Sequence, residues 1–352
     1  MASGKNAIGL DIGSSSIKII QLKETSRGVH LLNFDMAILP PEAVVDGAIM
    51  NFTAVVEKVR ELIAVNRIRN KDTALVISGH NVIVKKINLP EMTREELNES
   101  IQWEAEQYIP FDIKDVEVDV EILNPRAGQG QMEVLLVAAK KDIINDYESV
   151  AREAGLRPVV MDVGCFTIQN AFELNYGFPS NEVIALINVG AAVININIVA
   201  NGVSAFTRDI NMGGQMLTEE IQKQLNVSYE EAEHYKTGGE GTISSSSIYR
   251  EVQKLAERVS ETLVTEIQRS IDFFAATTIN LDISKVYLSG GSAQIPALIR
   301  SLERRLAVPV ELVNPFKNIA VDPKKFDLDL LQRMAPMAAV AVGLGLRRAD
   351  EK

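Results

Sequence analysis

The stretch AIGLDIGSSSIKIIQL at residues 7–22 returns, degraded, as VIALINVGAAVININIV at 183–199. Asp11 aligns with Asn188, Gly13 with Gly190, and the small pair Ser14–Ser15 with Ala191–Ala192. Both copies set a glycine and small residues between two β-forming runs, the pattern of strand, tight turn and second strand. A chain of 352 residues is also longer than one small core organises. Two lobes built to one plan would explain the repeat; two unrelated hairpins with similar turns remain the alternative.

Composition narrows the classes. A net charge of −11 argues against a nucleic-acid surface, which needs clustered Lys and Arg. Aromatics make up only 5%, so aliphatic packing must build the cores. The single cysteine, Cys165, sits in an apolar context and reads as a buried core residue of a reducing compartment. The first strand begins too early to leave room for a signal peptide. The longest apolar run, 334–346, falls short of the roughly 18–20 residues a membrane span needs. A cytoplasmic protein is expected.

Along the chain, NFTAVVEKVRELIAVNRI carries Val55, Val59, Leu62 and Ile63 at helical spacing, and TALVISG reads as a buried strand. Residues 82–163 alternate as β-α-β-β-α-β, enough for a small α+β subdomain. Its first helix opens with Thr93 and Glu96 in capping-box spacing and stops at Pro110. Charged helices follow the second hairpin, interrupted by the break TGGEGTISSSS, whose serine is placed to cap the long helix 247–277. A strand, glycine turn, helix and strand then lead to an apolar helix near 334–348.

The glycine turns are where chemistry is expected. Gly13 lets backbone approach an anion, Ser14, Ser15 and Ser16 offer N–H donors, and Lys18 adds positive charge. Asp11 suits a hydrated Mg²⁺, although a plain hairpin carrying an acid and a lysine reads equally well locally. Gly190, Ala191 and Ala192 form the matching turn; Gly213–Gly214 and Gly290–Gly291 each lead into a helix. His30, His80 and His234 lack metal-ligand spacing.

In this order the turns resemble the phosphate-1, phosphate-2 and adenosine loops of the actin/Hsp70/sugar-kinase fold. The resemblance spans nearly the whole chain. It implies an α/β, two-lobed actin/Hsp70-like ATPase fold with ATP or ADP and Mg²⁺ in a cleft. It assigns nucleotide binding to Gly13, Ser14, Ser15, Ser16, Lys18, Gly190, Ala191 and Ala192, and also to Gly213, Gly214, Gly290, Gly291, Ser292 and Ile295. Asp11 is implied to hold the metal, directly or through water. The segment AEHYK is similar to the AE-x-x-K of bacterial actin-like proteins, which implies that Glu233 and Lys236 touch the ribose; a solvated helical charge pair is the simpler reading.

The inserted β-α-β-β-α-β unit is similar to subdomain 1C of the cell-division family FtsA and its relatives, the PilM family of type IV pilus assembly proteins. WEAEQYIPFDIKDVEVDVEIL, residues 103–123, resembles the PilM signature there. FtsA ends in a linker and an amphipathic membrane helix, whereas RRADEK follows the last core helix here. The resemblance implies subdomain 1A at 1–85 and 161–182, 1C at 86–160, 2A at 183–210 and 284–352, and 2B at 211–283. It further implies a cytoplasmic scaffold, peripheral at the inner membrane, that holds the N-terminal tail of PilN between 1A and 1C. It implies that membrane is reached only through partners, and that the pilus motor ATPases and platform protein are further partners. An FtsA-like filament protein and an active ATPase are the alternatives.

Catalysis is where the pattern departs. Actin-like ATPases open the phosphate-2 loop with an aspartate; Asn188 stands here, and an amide is neither base nor metal charge. Hydrolysis is therefore expected to be slow or absent. Asp162 is the other acid near the crossing between lobes, read as a substitute acid or as a capping or packing residue.

Overall fold

The structure, a computed structural model, describes residues 6–238, 247–278 and 281–349. The glycine- and serine-rich break at 237–247 lies, apart from its ends, outside the described residues.

The chain opens as an antiparallel meander, β1 (Ile8–Ile12), β2 (Ser16–Thr25) and β3 (Gly28–Ile38). The sequence reading stopped at the hairpin; β3 follows from the Thr25–Gly28 turn, where Gly28 takes φ 116°. Strand alternation sends Ile8, Leu10, Ile17 and Ile19 into one core and Ile20 and Leu22 into another, so both sheet faces are covered. A small hairpin, β4 (Val44–Val45) and β5 (Ala48–Ile49), leads to α1 (Phe52–Val65). Asn51 caps α1 by accepting the Ala54 N–H at 3.1 Å, and β6 (Asp72–Ile77) then lies parallel to β1.

Next comes a separate antiparallel sheet of β7 (Val82–Pro90), β8 (Val116–Gly128) and β9 (Gln131–Lys140), ordered β7-β9-β8. It is covered by α2 (Arg94–Glu106), whose Thr93–Glu96 capping box is formed in both directions. Leu97, Ile101 and Ala105 bury against Ile87, Leu89, Val134 and Leu136, giving this unit a core of its own.

The last two expected elements of the insertion belong elsewhere. The stripe Ile143, Tyr147, Val150 and Ala151 of α3 (Lys141–Glu153) packs with α1 in the first lobe's core, and β10 (Arg157–Val163) pairs parallel with β6. The structurally independent insertion thus ends near Lys140. Its apparent β-α-β-β-α-β order runs through the join, because an amphipathic stripe states that a helix is buried, not against what.

After α4 (Gly164–Tyr176), the second lobe forms β11 (Val183–Val189), β12 (Ile194–Ala200) and β13 (Val203–Ile210). The helices α5 (Gln215–Leu225), α6 (Tyr229–Thr237) and α7 (Ser247–Thr277) follow, then β14 (Ile283–Ser289), α8 (Pro296–Leu306) and β15 (Val310–Leu312). The sheet order β13-β12-β11-β14-β15 repeats β3-β2-β1-β6-β10 of the first lobe. The echo read from two hairpins therefore extends to whole sheets.

A second boundary also moves. Although 284–352 was expected within one second-lobe subdomain, β16 (Ile319–Ala320) pairs with β3, and α9 (Leu328–Met334) and α10 (Ala339–Gly345) pack in the first lobe. The small residues of α10 permit this. A Cβ on Gly9 of β1 would meet the Ala341 carbonyl at 2.6 Å, and one on Gly343 would meet the Thr167 carbonyl of α4 at 1.9 Å. Among the described residues no helix is long and apolar enough to cross a membrane.

At Gly343 the obstacle is backbone, which cannot rotate away. Gly343→Ala should cost about 3 kcal/mol or more in urea unfolding, overpacking outweighing the gain in helix propensity. An alanine at exposed Gly155, by contrast, meets nothing and tests only its positive φ.

Candidate functional site

The two echoing hairpins turn toward a cleft of about 1210 Å³ between the lobes. Their turns close alike: the Gly13 N–H donates to the Ser16 carbonyl at 3.1 Å, and the Gly190 N–H to the Val193 carbonyl at 2.9 Å. Across the first hairpin Asp11 stands opposite Lys18, with Lys18 Nζ 3.2 Å from Asp11 Oδ2. At the same register of the second, Asn188 stands opposite Asn195, Nδ2 to Oδ1 at 3.1 Å. An ion pair in one lobe is matched by an amide pair in the other.

Most expected site residues line this cleft: Asp11, Gly13, Ser14, Ser15, Ser16 and Lys18 from the first lobe, with Gly190, Ala191 and Ala192 facing them. Gly290, Gly291, Ser292 and Ile295 join from the β14–α8 junction. Gly290 is needed there, because it takes φ 97° and a Cβ would fall 2.3 Å from the Val189 carbonyl.

Gly213 and Gly214 differ from expectation. They are buried behind the second turn, where their N-terminal position on α5 is filled by protein. A Cβ on Gly213 would lie 2.4 Å from the Ala191 carbonyl, and one on Gly214 2.0 Å from Ser292 Oγ. Gly214 N–H and Ser292 Oγ both donate to the Gly190 carbonyl, at 3.0 and 2.9 Å. These glycines let α5 brace the turn and do not themselves line the cleft.

Glu233 and Lys236 line the cleft and are also tied inward. Lys236 Nζ is 2.6 Å from Glu233 Oε1 and donates to Thr218 Oγ1 at 2.8 Å and the Gly214 carbonyl at 3.3 Å. This is a half-buried pair tied to Thr218 and Gly214, and not a freely solvated one. Asp162 stands outside the cleft lining. Its Oδ1 accepts the Val163 N–H at 2.7 Å at the head of α4, and Oδ2 lies 3.5 Å from Arg347 Nε, so packing describes it better than catalysis. Cys165 is buried, which pushes its thiol pKa up.

Some cleft residues escaped the sequence. Tyr147 of α3 is buried beside the first turn, and burial, then the charge of Asp11, raises its phenol pKa. No local signal reveals it, because the sequence order joins α3 to the insertion and only packing returns it to the first lobe. Tyr229, Tyr249 and Gln253 of the second lobe's helices also line the cleft and carried no motif.

A polar chain leads away from the second turn. Ser289 Oγ donates to Asn188 Oδ1 at 3.2 Å, Asn188 Nδ2 to Asn195 Oδ1, and Asn195 Nδ2 to Asp209 Oδ1 at 2.8 Å. Asp209 Oδ2 then accepts the Gly79 N–H of the first lobe at 2.5 Å. Gly79 begins the turn that enters β7, and Asn211 meets His80 there at 2.9 Å. The chain thus runs from cleft floor to the root of the inserted subdomain. The alignment of Lys18 with Asn195, three residues past Ser15 and Ala192, marks its first link in the sequence.

The model of the family described as type IV pilus assembly protein PilM matches residues 9–349. The chain belongs to that family. A solved structure titled as a PilM–PilN type IV pilus biogenesis complex is similar over 99% of this chain and 100% of that one, with a TM-score of 0.88 and 29% identity. The cell-division protein FtsA of Bacillus subtilis (strain 168) is 21% identical over 88% of this chain and 78% of FtsA. MreB 5 of Spiroplasma citri, solved bound to AMPPNP, is similar over 97% of this chain and 95% of that one, with a TM-score of 0.50 and 12% identity. The last likeness shows the actin-like fold alone, and it agrees with the α/β two-lobed class that the repeated turns implied.

Asp209 gives this PilM family member a pH signature. Burial, opposed by hydrogen bonds from Asn195 and Gly79, raises its pKa from the ordinary 3.8. The folded chain then keeps this proton where the unfolded chain has released it, so the contribution to stability is present below about pH 4 and lost as pH rises through the folded value. The melting temperature of the wild type minus that of Asp209→Asn should therefore fall between pH 4 and neutrality; a flat or rising difference would refute it.

Proposed function

We propose that the chain is a nucleotide-binding scaffold of type IV pilus assembly that holds the cytoplasmic N-terminal tail of PilN at the inner membrane. The chain-long likeness to the PilM–PilN complex carries this reading. On this reading, the tail is proposed to lie between the first lobe (subdomain 1A) and the inserted sheet (1C). The pilus motor ATPases and platform protein are the further partners, and the membrane is reached through PilN.

The cleft supports a nucleotide. Two glycine turns offer backbone donors from opposite lobes, and Lys18 adds a cation fitted to phosphate. Glu233, Lys236 and Ile295 form the wall suited to ribose and base. Asp11 suits Mg²⁺: Oδ2 is held by Lys18, while Oδ1 has no hydrogen-bond partner among the described residues. One carboxylate with water and phosphate oxygens is an ordinary magnesium donor set. When bound, the metal would neutralise phosphate charge.

Hydrolysis is proposed to be slow or absent, and the amide network supports this. Asn188 spends Oδ1 on Ser289 and Nδ2 on Asn195, leaving no basic oxygen for water. The polar chain from Asn188 to Gly79 gives nucleotide and tail a physical route to influence one another, and linkage makes that influence reciprocal.

Calorimetric titration with a PilN-tail peptide, with and without Mg-ATP, tests the reading. The peptide should bind, and the fluorescence of Trp103, the chain's one tryptophan and 77% exposed on α2, reports on the inserted subdomain. Lys18→Ala should weaken Mg-ATP roughly tenfold or more, the worth of a charge-assisted hydrogen bond, while peptide binding without nucleotide persists. Absence of peptide binding in every state would favour the FtsA-like filament reading, which rests on the 21% identity to FtsA.

A further inference from the structure

A second pocket, of about 800 Å³, opens at the other end of the first sheet. Strands β1, β6 and β10 start there and run toward the cleft, so about five residues of strand, roughly 17 Å, separate the two sites. The pocket is lined by Lys23, Arg69, Lys71 and Arg157, with Glu24 and Asp72 as its acids. Both acids are already neutralised. Arg157 Nε donates to Asp72 Oδ1 at 2.6 Å, and Glu24 is paired with Arg348. Lys23, Arg69 and Lys71 make no side-chain hydrogen bond or ion pair among the described residues, and all three are exposed. Asn6 and Asn70 are spent on the backbone: Asn6 Nδ2 donates to the Gly345 carbonyl at 3.2 Å and Asn70 Nδ2 to the Asn6 carbonyl at 3.1 Å. What faces solvent is an unmatched cationic concavity on a chain whose net charge is −11.

The surroundings favour an extended anionic surface over a small soluble anion. Arg27 in the β2–β3 turn and Arg67 between α1 and β6 add exposed cations at the same end of the sheet. Val65, 68% exposed, ends α1 two residues before Arg67. The donors stand on long flexible stems around an open rim, which suits phosphates presented in a plane and not one enclosed ion. Overall acidity does not forbid this, because beyond about 8 Å at physiological salt the rest of the surface is screened.

We propose that this end of the first lobe docks directly on an anionic phospholipid bilayer, with lipid phosphates held by Lys23, Arg69 and Lys71. The contact is independent of any held through a protein partner, and it turns the nucleotide cleft away from the bilayer.

Co-sedimentation of the full chain, without any partner, tests it against phosphatidylcholine vesicles and vesicles with phosphatidylglycerol in equal part. Binding should require phosphatidylglycerol and weaken with salt. Each cation near such a surface is worth about fivefold, so Lys23→Ala with Lys71→Ala should lose roughly twenty-five-fold. The charge-keeping pair Lys23→Arg with Lys71→Arg should bind as wild type. Both variants should titrate with Mg-ATP like wild type, which separates loss of this surface from loss of the fold or of the cleft. Equal binding to neutral vesicles, or retention by the alanine variant, would overturn the proposal. So would calorimetric binding of inorganic phosphate at these residues with no vesicle binding, which would reassign the pocket to a soluble anion.

Discussion

Two backbones meet with no side chain between them where Gly343 of α10 crosses Thr167 of α4. The arrangement of the lobes depends on that approach. On one side α10 lies on Gly9 of β1, and on the other α4 sends Ile168 and Phe172 into a cluster with Ile184, Leu186 and Val199 of the second sheet. Val340 of α10 packs in that cluster and also against Val76 and Leu344. The lobes are thereby joined through a pair of closely packed helices. Interiors packed at crystal density deform little, so relative motion must be absorbed around this joint and not within it.

The cleft inherits its geometry from this arrangement, and its chemistry from a divergence within the repeat. Both hairpins keep the glycine turn, the closing hydrogen bond and the cross-strand polar pair. One pair is charged and the other is not. The neutral pair is the one that connects onward, because an amide both donates and accepts and can extend a chain as an ion pair cannot. Asn188 therefore links the cleft to Asp209 and the root of the inserted sheet.

What the sequence made legible follows from the range over which each signal acts. Turn chemistry is local, so Gly13, Gly190 and Gly290 could be placed from a few neighbours, as could the Thr93–Glu96 cap and the full extent of α7. Burial partners are not local. The stripe of α3 is readable, yet its partners Val55 and Val59 lie far away in sequence, so the stripe alone joins α3, β10 and Tyr147 to the insertion. The apolar run of α10 was visible too, but only three dimensions show that it completes the lobe begun by β1. Gly213 and Gly214 carried a motif whose physical need, close packing against Ala191 and Ser292, resembles ligand approach in sequence. The cationic pocket gathers Lys23, Arg69, Lys71 and Arg157 from separate elements and has no linear signature.

The return of α10 also fixes an order of events during synthesis. The second lobe is contiguous from β11 to β15 and can assemble as soon as those residues leave the ribosome. The first lobe cannot: β1 and β2 wait with one face uncovered until α9 and α10 have been made, after the whole of its neighbour. Contacts of such long sequence separation form late and leave strands open to wrong partners meanwhile. The lobe that starts first is thus the one that finishes last.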